Sequence, residues 1–261
     1  MIAEYLLKLF SRPMPEAKAD PSARTADTSH ALDAIHDAFE DFSEVIMGRN
    51  VLDFGCGYGE QTEAMAAAGA RRVLGYDVWP DAIEEARQHL KGATHDIADR
   101  VEYTASLHRF GQHDVVVSQN SFEHFMDPNR ELLLMKLALR PGGLILITFG
   151  PPWRSPWGAH MKFWCRLPWI QNAPLSWLFT ERAVMKVRES FRRDKAGVKT
   201  TYRSVGLNQI TVAKFEEMIK ERGLHLRSRR YSCCWGLDWL QHVPLGREWT
   251  INHISVVLER R

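Results

Sequence analysis

The chain has 261 residues, a formal net charge of +2 at pH 7 and four cysteines. That length can bury one large α/β core, or an ordinary core carrying an insertion, and so small a net charge does not by itself imply nucleic acid. No apolar run approaches about 20 residues, which excludes a transmembrane helix. Cys56, Cys165, Cys233 and Cys234 form neither a C-x-x-C pair nor a zinc-ligand spacing, so free thiols in a reducing, cytoplasmic setting are expected.

In chain order, Met1–Phe10 sets Ile2, Tyr5, Leu6, Leu9 and Phe10 on one helical face. Glu4 and the lack of a basic segment before the apolar part argue against a signal peptide and for an amphipathic lid or docking helix. Residues 11–30, rich in Pro, Ala, Ser, Thr and Asp, read as a linker, so 1–30 form an N-terminal arm. A helix is predicted over Ala31–Met47 from the stripe Leu32, Ile35, Phe39, Phe42 and Ile46, with Gly48 as its stop. Strands and helices then alternate: strand Asn50–Phe54, helix Gln61–Ala68, strand Arg72–Tyr76, helix Asp81–Leu90, strand Arg100–Thr104, strand His113–Ser118, helix Glu131–Leu139, strand Leu144–Phe149. The run Val115-Val-Val117 suits a strand buried on both faces. This order implies an α/β fold with a doubly wound, mostly parallel sheet over 31–150. Residues 151–208 are too many for an ordinary loop and read as an inserted, aromatic-rich cap. After it, 209–261 return to the core: Thr211 caps a helix Val212–Arg222, and strands Leu224–Tyr231 and Ile251–Leu258 make an antiparallel edge.

The segment Val51-Leu-Asp-Phe-Gly-Cys-Gly-Tyr-Gly59 joins a strand to a helix through three glycines. Gly55 and Gly57 admit backbone conformations and a close ligand approach that a Cβ would hinder, and Gly59 enters the next helix tightly. A ligand here lies beyond the carboxyl ends of the strands, near a helix N-terminus. Asp77 ends the second strand, where a carboxylate can accept from both hydroxyls of a ribose. A nicotinamide dinucleotide would use similar parts, but its G-x-G-x-x-G spacing is absent and Asp53 stands inside the strand.

This loop resembles motif I of class I S-adenosylmethionine-dependent methyltransferases. Gly75-Tyr-Asp77-Val-Trp-Pro-Asp-Ala-Ile-Glu-Glu-Ala-Arg87 is similar to that family's second strand, ribose-binding acid and following helix. Asp114-Val-Val-Val-Ser-Gln-Asn-Ser-Phe-Glu-His124 is similar to its fourth strand and the segment beside the methyl group. Leu139-Arg-Pro-Gly-Gly-Leu-Ile-Leu-Ile147 is similar to its fifth strand. The resemblance covers about 48–150 and returns at 207–259. It implies a seven-stranded Rossmann-like sheet and S-adenosylmethionine as cofactor, held by Asp53, Gly55, Cys56, Gly57, Gly59, Asp77, Val78, Gln119 and Asn120. The family often has an acid after its third strand. Here the run is Tyr103-Thr-Ala-Ser106, so Ala105 and Ser106 take that place.

Methyl transfer requires an acceptor lone pair held in line with the methyl group and water excluded. A hydroxyl acceptor gains from a base with a pKa near 7, typically histidine. His160, directly after the fifth strand, and His124, after the fourth, are the candidates, with Glu123 a weaker one. The implied function is methyl transfer to a small molecule, at a hydroxyl of a sugar, lipid-linked or aromatic metabolite. N-methylation and cofactor binding without catalysis are the alternatives. No metal is called for. Cys233-Cys234 would suit arsenic, though two small apolar residues in a strand or loop explain the pair as well.

Trp153, Trp157, Trp164, Trp169 and Trp177, with Met161, Phe163, Leu167, Leu178 and Phe179, could form a cap core, a substrate wall or a membrane-surface patch. In the stretch that follows, Arg182, Lys186, Arg188, Arg192, Arg193, Lys195, Lys199 and Arg203 outnumber Glu181, Glu189 and Asp194. An anionic acceptor, or peripheral contact with an anionic membrane through the Trp-rich insertion, fits that charge. Nucleic acid does not, since no recognised RNA-binding module accompanies it.

Overall fold

The computed structural model describes residues 2–12, 30–108, 110–162, 164–191, 199–244 and 246–261. The linker over 13–29, Phe163, Arg192, Arg193, Asp194 and Lys195 lie outside the described residues. Seven strands form one sheet: β1 (Asn50–Phe54), β2 (Arg72–Tyr76), β3 (Val101–Thr104), β4 (His113–Gln119), β5 (Leu139–Phe149), β6 (His225–Cys233) and β7 (Ile251–Glu259). Their order is β3-β2-β1-β4-β5-β7-β6. β1 to β5 are parallel, and β7 runs antiparallel to both β5 and β6. The expected fold class and antiparallel edge are therefore present. The helices are α1 (Ile2–Leu9), α2 (Asp33–Ala38), α3 (Phe42–Ile46), α4 (Glu60–Ala67), α5 (Pro80–Leu90), α6 (His95–Ala98), α7 (Pro128–Ala138), α8 (Leu175–Leu178), α9 (Glu181–Phe191), α10 (Val212–Glu221) and α11 (Arg247–Thr250).

Strand alternation sorts the core into two layers. Leu52, Phe54, Val116 and Ile145 face α7 and α10, meeting Leu132, Met135, Phe215 and Met218. Val51, Val73, Val115, Val117 and Leu146 face the other way, onto Ile35, Phe42, Met65 and Ile83 of α2 to α5. Each such fully buried aliphatic side chain contributes about 1.5–3 kcal/mol. A third cluster joins Ala3 and Leu7 of α1 to Met161, Trp164, Cys165, Val184 and Val187. The chain is knitted there as well: Arg12 N–H donates to the Trp164 carbonyl at 2.8 Å and Arg166 N–H to Phe10 at 3.0 Å. The N-terminal helix and the 151–208 segment thus share one core.

Two elements differ from expectation. The helix over Ala31–Met47 is broken into α2 and α3, because Phe39 is extended (φ −137°, ψ 101°). Ile35, Phe42 and Ile46 are still fully buried; the apolar spacing fixes which residues reach the core, not whether the helix is continuous. β5 starts at Leu139 and runs through Pro141-Gly-Gly143, with an irregular register opposite His113–Val115. Gly142 N–H and Gly143 carbonyl pair with Arg260, so the turn-like residues are held by the residue that follows β7. The Thr211 cap is as expected, its side chain accepting from Lys214 N–H at 3.2 Å.

Candidate active site

The order reversal between β1 and β4 places a crevice at the carboxyl ends of the strands. The glycine loop lies at its floor, and its three glycines meet different surroundings. A Cβ at Gly55 (φ +87°) would lie 2.6 Å from Ser121 Oγ, and one at Gly59 (φ +90°) would lie 2.2 Å from Tyr103 Oη. A Cβ at Gly57 (φ +52°) would meet nothing within 4 Å. The outer two glycines are packed against protein, while the middle one faces open space where a ligand can approach.

Two carboxylates brace this loop. Asp77 Oδ2 accepts from Gly57 N–H and Oδ1 from Trp79 N–H, each at 3.0 Å, which leaves lone pairs on both oxygens for a ribose. Val78 and Trp79 follow, 59% and 68% exposed, as an apolar wall suited to a base. Asp53 is buried, accepting from Thr62 Oγ1 at 2.6 Å and Gln61 Nε2 at 3.2 Å; it latches the loop to the first turn of α4. Burial pushes its carboxyl up to about 7, helped by the charge of Asp77 and opposed by those two hydrogen bonds. A raised carboxyl favours the protonated native state, so its contribution to stability falls as pH climbs from about 4 to 7 and is level above that. Asp53→Asn should remove up to about 4 kcal/mol of this loss. Denaturant midpoints at pH 5 and pH 8 should show the variant gaining on the wild type at the higher pH; an equal difference at both would mean that the carboxyl ionises freely.

Other expected cofactor residues border the same crevice. Cys56 N–H donates to the Tyr76 carbonyl at 3.0 Å, and burial pushes its thiol far up. Ala105 and Ser106 lie in a turn closed by Thr104, whose Oγ1 donates to the Ser106 carbonyl at 2.8 Å. Gln119 ends β4, and Asn120 turns away at φ +49°. Two residues of this site escaped the sequence reading. Ser121 Oγ lies 3.2 Å from the Gly55 carbonyl and 2.9 Å from that of Gln119. The Tyr103 ring lies against Gly59 and Gly75, with its hydroxyl donating to the Gly59 carbonyl at 3.0 Å. The readable signal was Gly75, because a glycine inside a strand marks a close approach.

On the other flank, His124 and His160 come together with ring centroids 5.4 Å apart, edge to face. His124 closes a single 3-10 turn (Phe122–His124) after β4. Its Nδ1 lies 2.8 Å from the Gly206 carbonyl. A carbonyl only accepts, so Nδ1 carries a proton, and Nε2 is the nitrogen left for another partner. His124 is exposed; His160 is half-buried at φ +53°. Glu123 is buried beside them, and burial pushes its carboxyl up. Glu123, Trp153, His160 and Asn208 line one small cavity. A recess of about 650 Å³ opens at the opposite edge of the sheet, among Asn50, Arg71, Arg100 and His113. It touches none of these groups, so volume does not locate the chemistry. Among the described residues no cluster suited to a metal ion is found.

A doubly wound sheet with a three-glycine loop after β1 and a carboxylate on the tip of β2 defines a nucleoside-binding domain. Residues 52–147 match the family model described as a methyltransferase domain, and the chain carries a class I S-adenosylmethionine-dependent methyltransferase domain. A ubiquinone biosynthesis O-methyltransferase of Bordetella avium is 32% identical over 126 residues, 46% of this chain and 50% of that protein. The chain therefore spans about half the length of the curated relatives it matches. Among solved structures, a putative sarcosine dimethylglycine methyltransferase of Galdieria sulphuraria is similar at TM-score 0.57 and 12% identity, over 89% of this chain and 86% of that one. A geranyl diphosphate methyltransferase in complex with S-adenosylmethionine is similar at TM-score 0.54 and 12% identity, over 96% and 97%. Likeness at that identity speaks for the fold alone.

Proposed function

We propose that the chain transfers a methyl group to a hydroxyl oxygen of a small molecule, a sugar, lipid-linked or aromatic metabolite. S-adenosylmethionine, when bound, supplies an electrophilic methyl on a sulfonium. Asp77 would hold its ribose, Gly55–Gly59 its flank, Val78 with Ala105 and Ser106 its base, and Gln119 with Asn120 the end nearest β4. The observation that carries the oxygen assignment is the fixed tautomer of His124, whose Nδ1 is committed to Gly206. Its exposed Nε2 takes the proton that the acceptor hydroxyl releases. His160 packs against that ring and holds its plane. The 151–208 segment with α1 covers the acceptor and keeps water out. The O-methyltransferases among the relatives support the same acceptor atom.

The test is transfer of isotope-labelled methyl to a panel of phenols, catechols, sugars and prenylated phenols, with amines as the contrast. His124→Ala should lower kcat about 10²–10⁴-fold and leave cofactor affinity unchanged. Transfer to amines alone, or cofactor binding with no transfer to any of them, would overturn the reading.

A further inference from the structure

The outer surface is strongly uneven. Among the described residues, the exposed large apolar side chains at the amino-terminal edge of the sheet are Met47, Phe110 and Leu137. The others belong to segments that leave the sheet at its carboxyl edge, or to α1, which packs on one of them. Besides Trp79 (68%) in the cofactor crevice, the most exposed are Ile2 (72%), Tyr5 (69%) and Leu9 (63%) on α1, Trp177 (75%) after Pro174, and Trp235 (62%) and Trp239 (63%) between β6 and β7. α1 is apolar on both faces: Ala3 and Leu7 enter the shared core while Ile2, Tyr5 and Leu9 face out. The Trp-rich segment itself mostly points inward, with Trp164 1% exposed. Membrane contact was expected through that segment, and among its described residues Trp177 and Leu175 contribute the large exposed apolar surface.

Charge accompanies this surface. In the described residues of 151–208, Arg154, Lys162, Arg166, Arg182, Lys186 and Arg203 are exposed, while both acids, Glu181 and Glu189, are half-buried. Glu181 accepts from Tyr202 N–H and Glu189 from Arg188. Lys186 is paired with Glu4, which leaves five other exposed cations and no exposed acid. Exposed indoles and aliphatic groups, together with the excess of exposed cations in 151–208, match the interface of an anionic bilayer, Asp238 beside Trp239 being an exposed acid outside that segment. A second copy of the chain fits less well, because a two-fold contact would set these like charges against each other. The segment 13–29 offers the patch little apolar complement, since Met14 is its only large apolar residue.

We infer that α1 and the exposed tryptophans form a docking surface for an anionic lipid bilayer, with the carboxyl edge of the sheet turned toward the lipid. This inference does not depend on which acceptor is methylated. The test is flotation of the full chain with vesicles of phosphatidylcholine alone, and with about one third phosphatidylglycerol. Binding to the anionic vesicles is expected to exceed that to the neutral ones by about tenfold or more, and to fall at high salt. Tyr5→Ser with Leu9→Ser, and separately Trp239→Ser, should each weaken it several-fold, whereas Met47→Ser at the far edge should not. Unchanged cofactor affinity and melting temperature in these variants show that the fold is intact. Equal binding to both vesicles, no binding, or unaltered binding by all the variants overturns the proposal. So does light scattering that finds a dimer which Tyr5→Ser and Leu9→Ser dissociate.

Discussion

Asp77→Ala is expected to raise the Kd for S-adenosylmethionine at least about a hundredfold, with the fold intact. The loss has two parts. The ribose hydroxyls lose a charged acceptor, a contact of about 1.5–3 kcal/mol each, and Gly57 and Trp79 lose the carboxylate that holds their N–H groups at 3.0 Å. The loop then samples conformations in which its floor no longer fits the cofactor. Asp77→Asn should fall between, because the amide oxygen still accepts from one N–H while its NH₂ opposes the other. Calorimetry with S-adenosylmethionine, and with NAD as a contrast, measures this directly. Unchanged affinity in the alanine variant would show that the tip of β2 is not the ribose site.

Gly59→Ala should be the most destabilising single methyl in the loop, at about 3–5 kcal/mol, or roughly 10 °C in Tm for a chain of this size. The new Cβ would stand 2.2 Å from Tyr103 Oη and 2.6 Å from its Cζ, at a φ of +90°. Tyr103 is buried and cannot swing aside. Gly57→Ala makes the control: its φ is also positive but its Cβ meets nothing, so only the backbone strain of about 1–2 kcal/mol remains. If the clash with Tyr103 dominates, Tyr103→Leu combined with Gly59→Ala will lose much less than the sum of the two single changes. Additive losses would assign the cost to φ alone.

The sheet was legible because its signal is local. Val115 to Val117 read as a strand buried on both faces, and all three are fully buried. Asp53, the glycines and Asp77 were legible because loop chemistry restricts which residues can stand there. Contacts that depend on packing were not. Tyr103 and Gly59 are 44 positions apart, and nothing in either neighbourhood specifies that β3 lays its ring over the loop. His124 and His160 were each singled out, but their pairing and the Gly206 carbonyl that sets the tautomer depend on how residues 151–208 fold. Its place directly after the fifth strand ranked His160 ahead of His124 as base; in the fold His160 is half-buried and His124 exposed. The tryptophans show the limit most clearly. An indole suits a core and a water interface equally, so Trp164 and Trp177 read alike, yet one is interior and the other 75% exposed.

The strand order also bears on how the chain is made. β7 is synthesised after β6 but lies between it and β5. Among the described residues, β6 pairs in the sheet with β7 alone. On a ribosome, the five parallel strands can assemble while the β5 edge stays open, and β6 emerges with nothing to pair with. Closing the sheet requires β7 to slide into the gap between an edge already formed and a strand still unpaired. The final strand therefore completes both hydrogen-bond ladders at once, and until then the open β5 edge is where a nascent chain is most prone to pair with a neighbour.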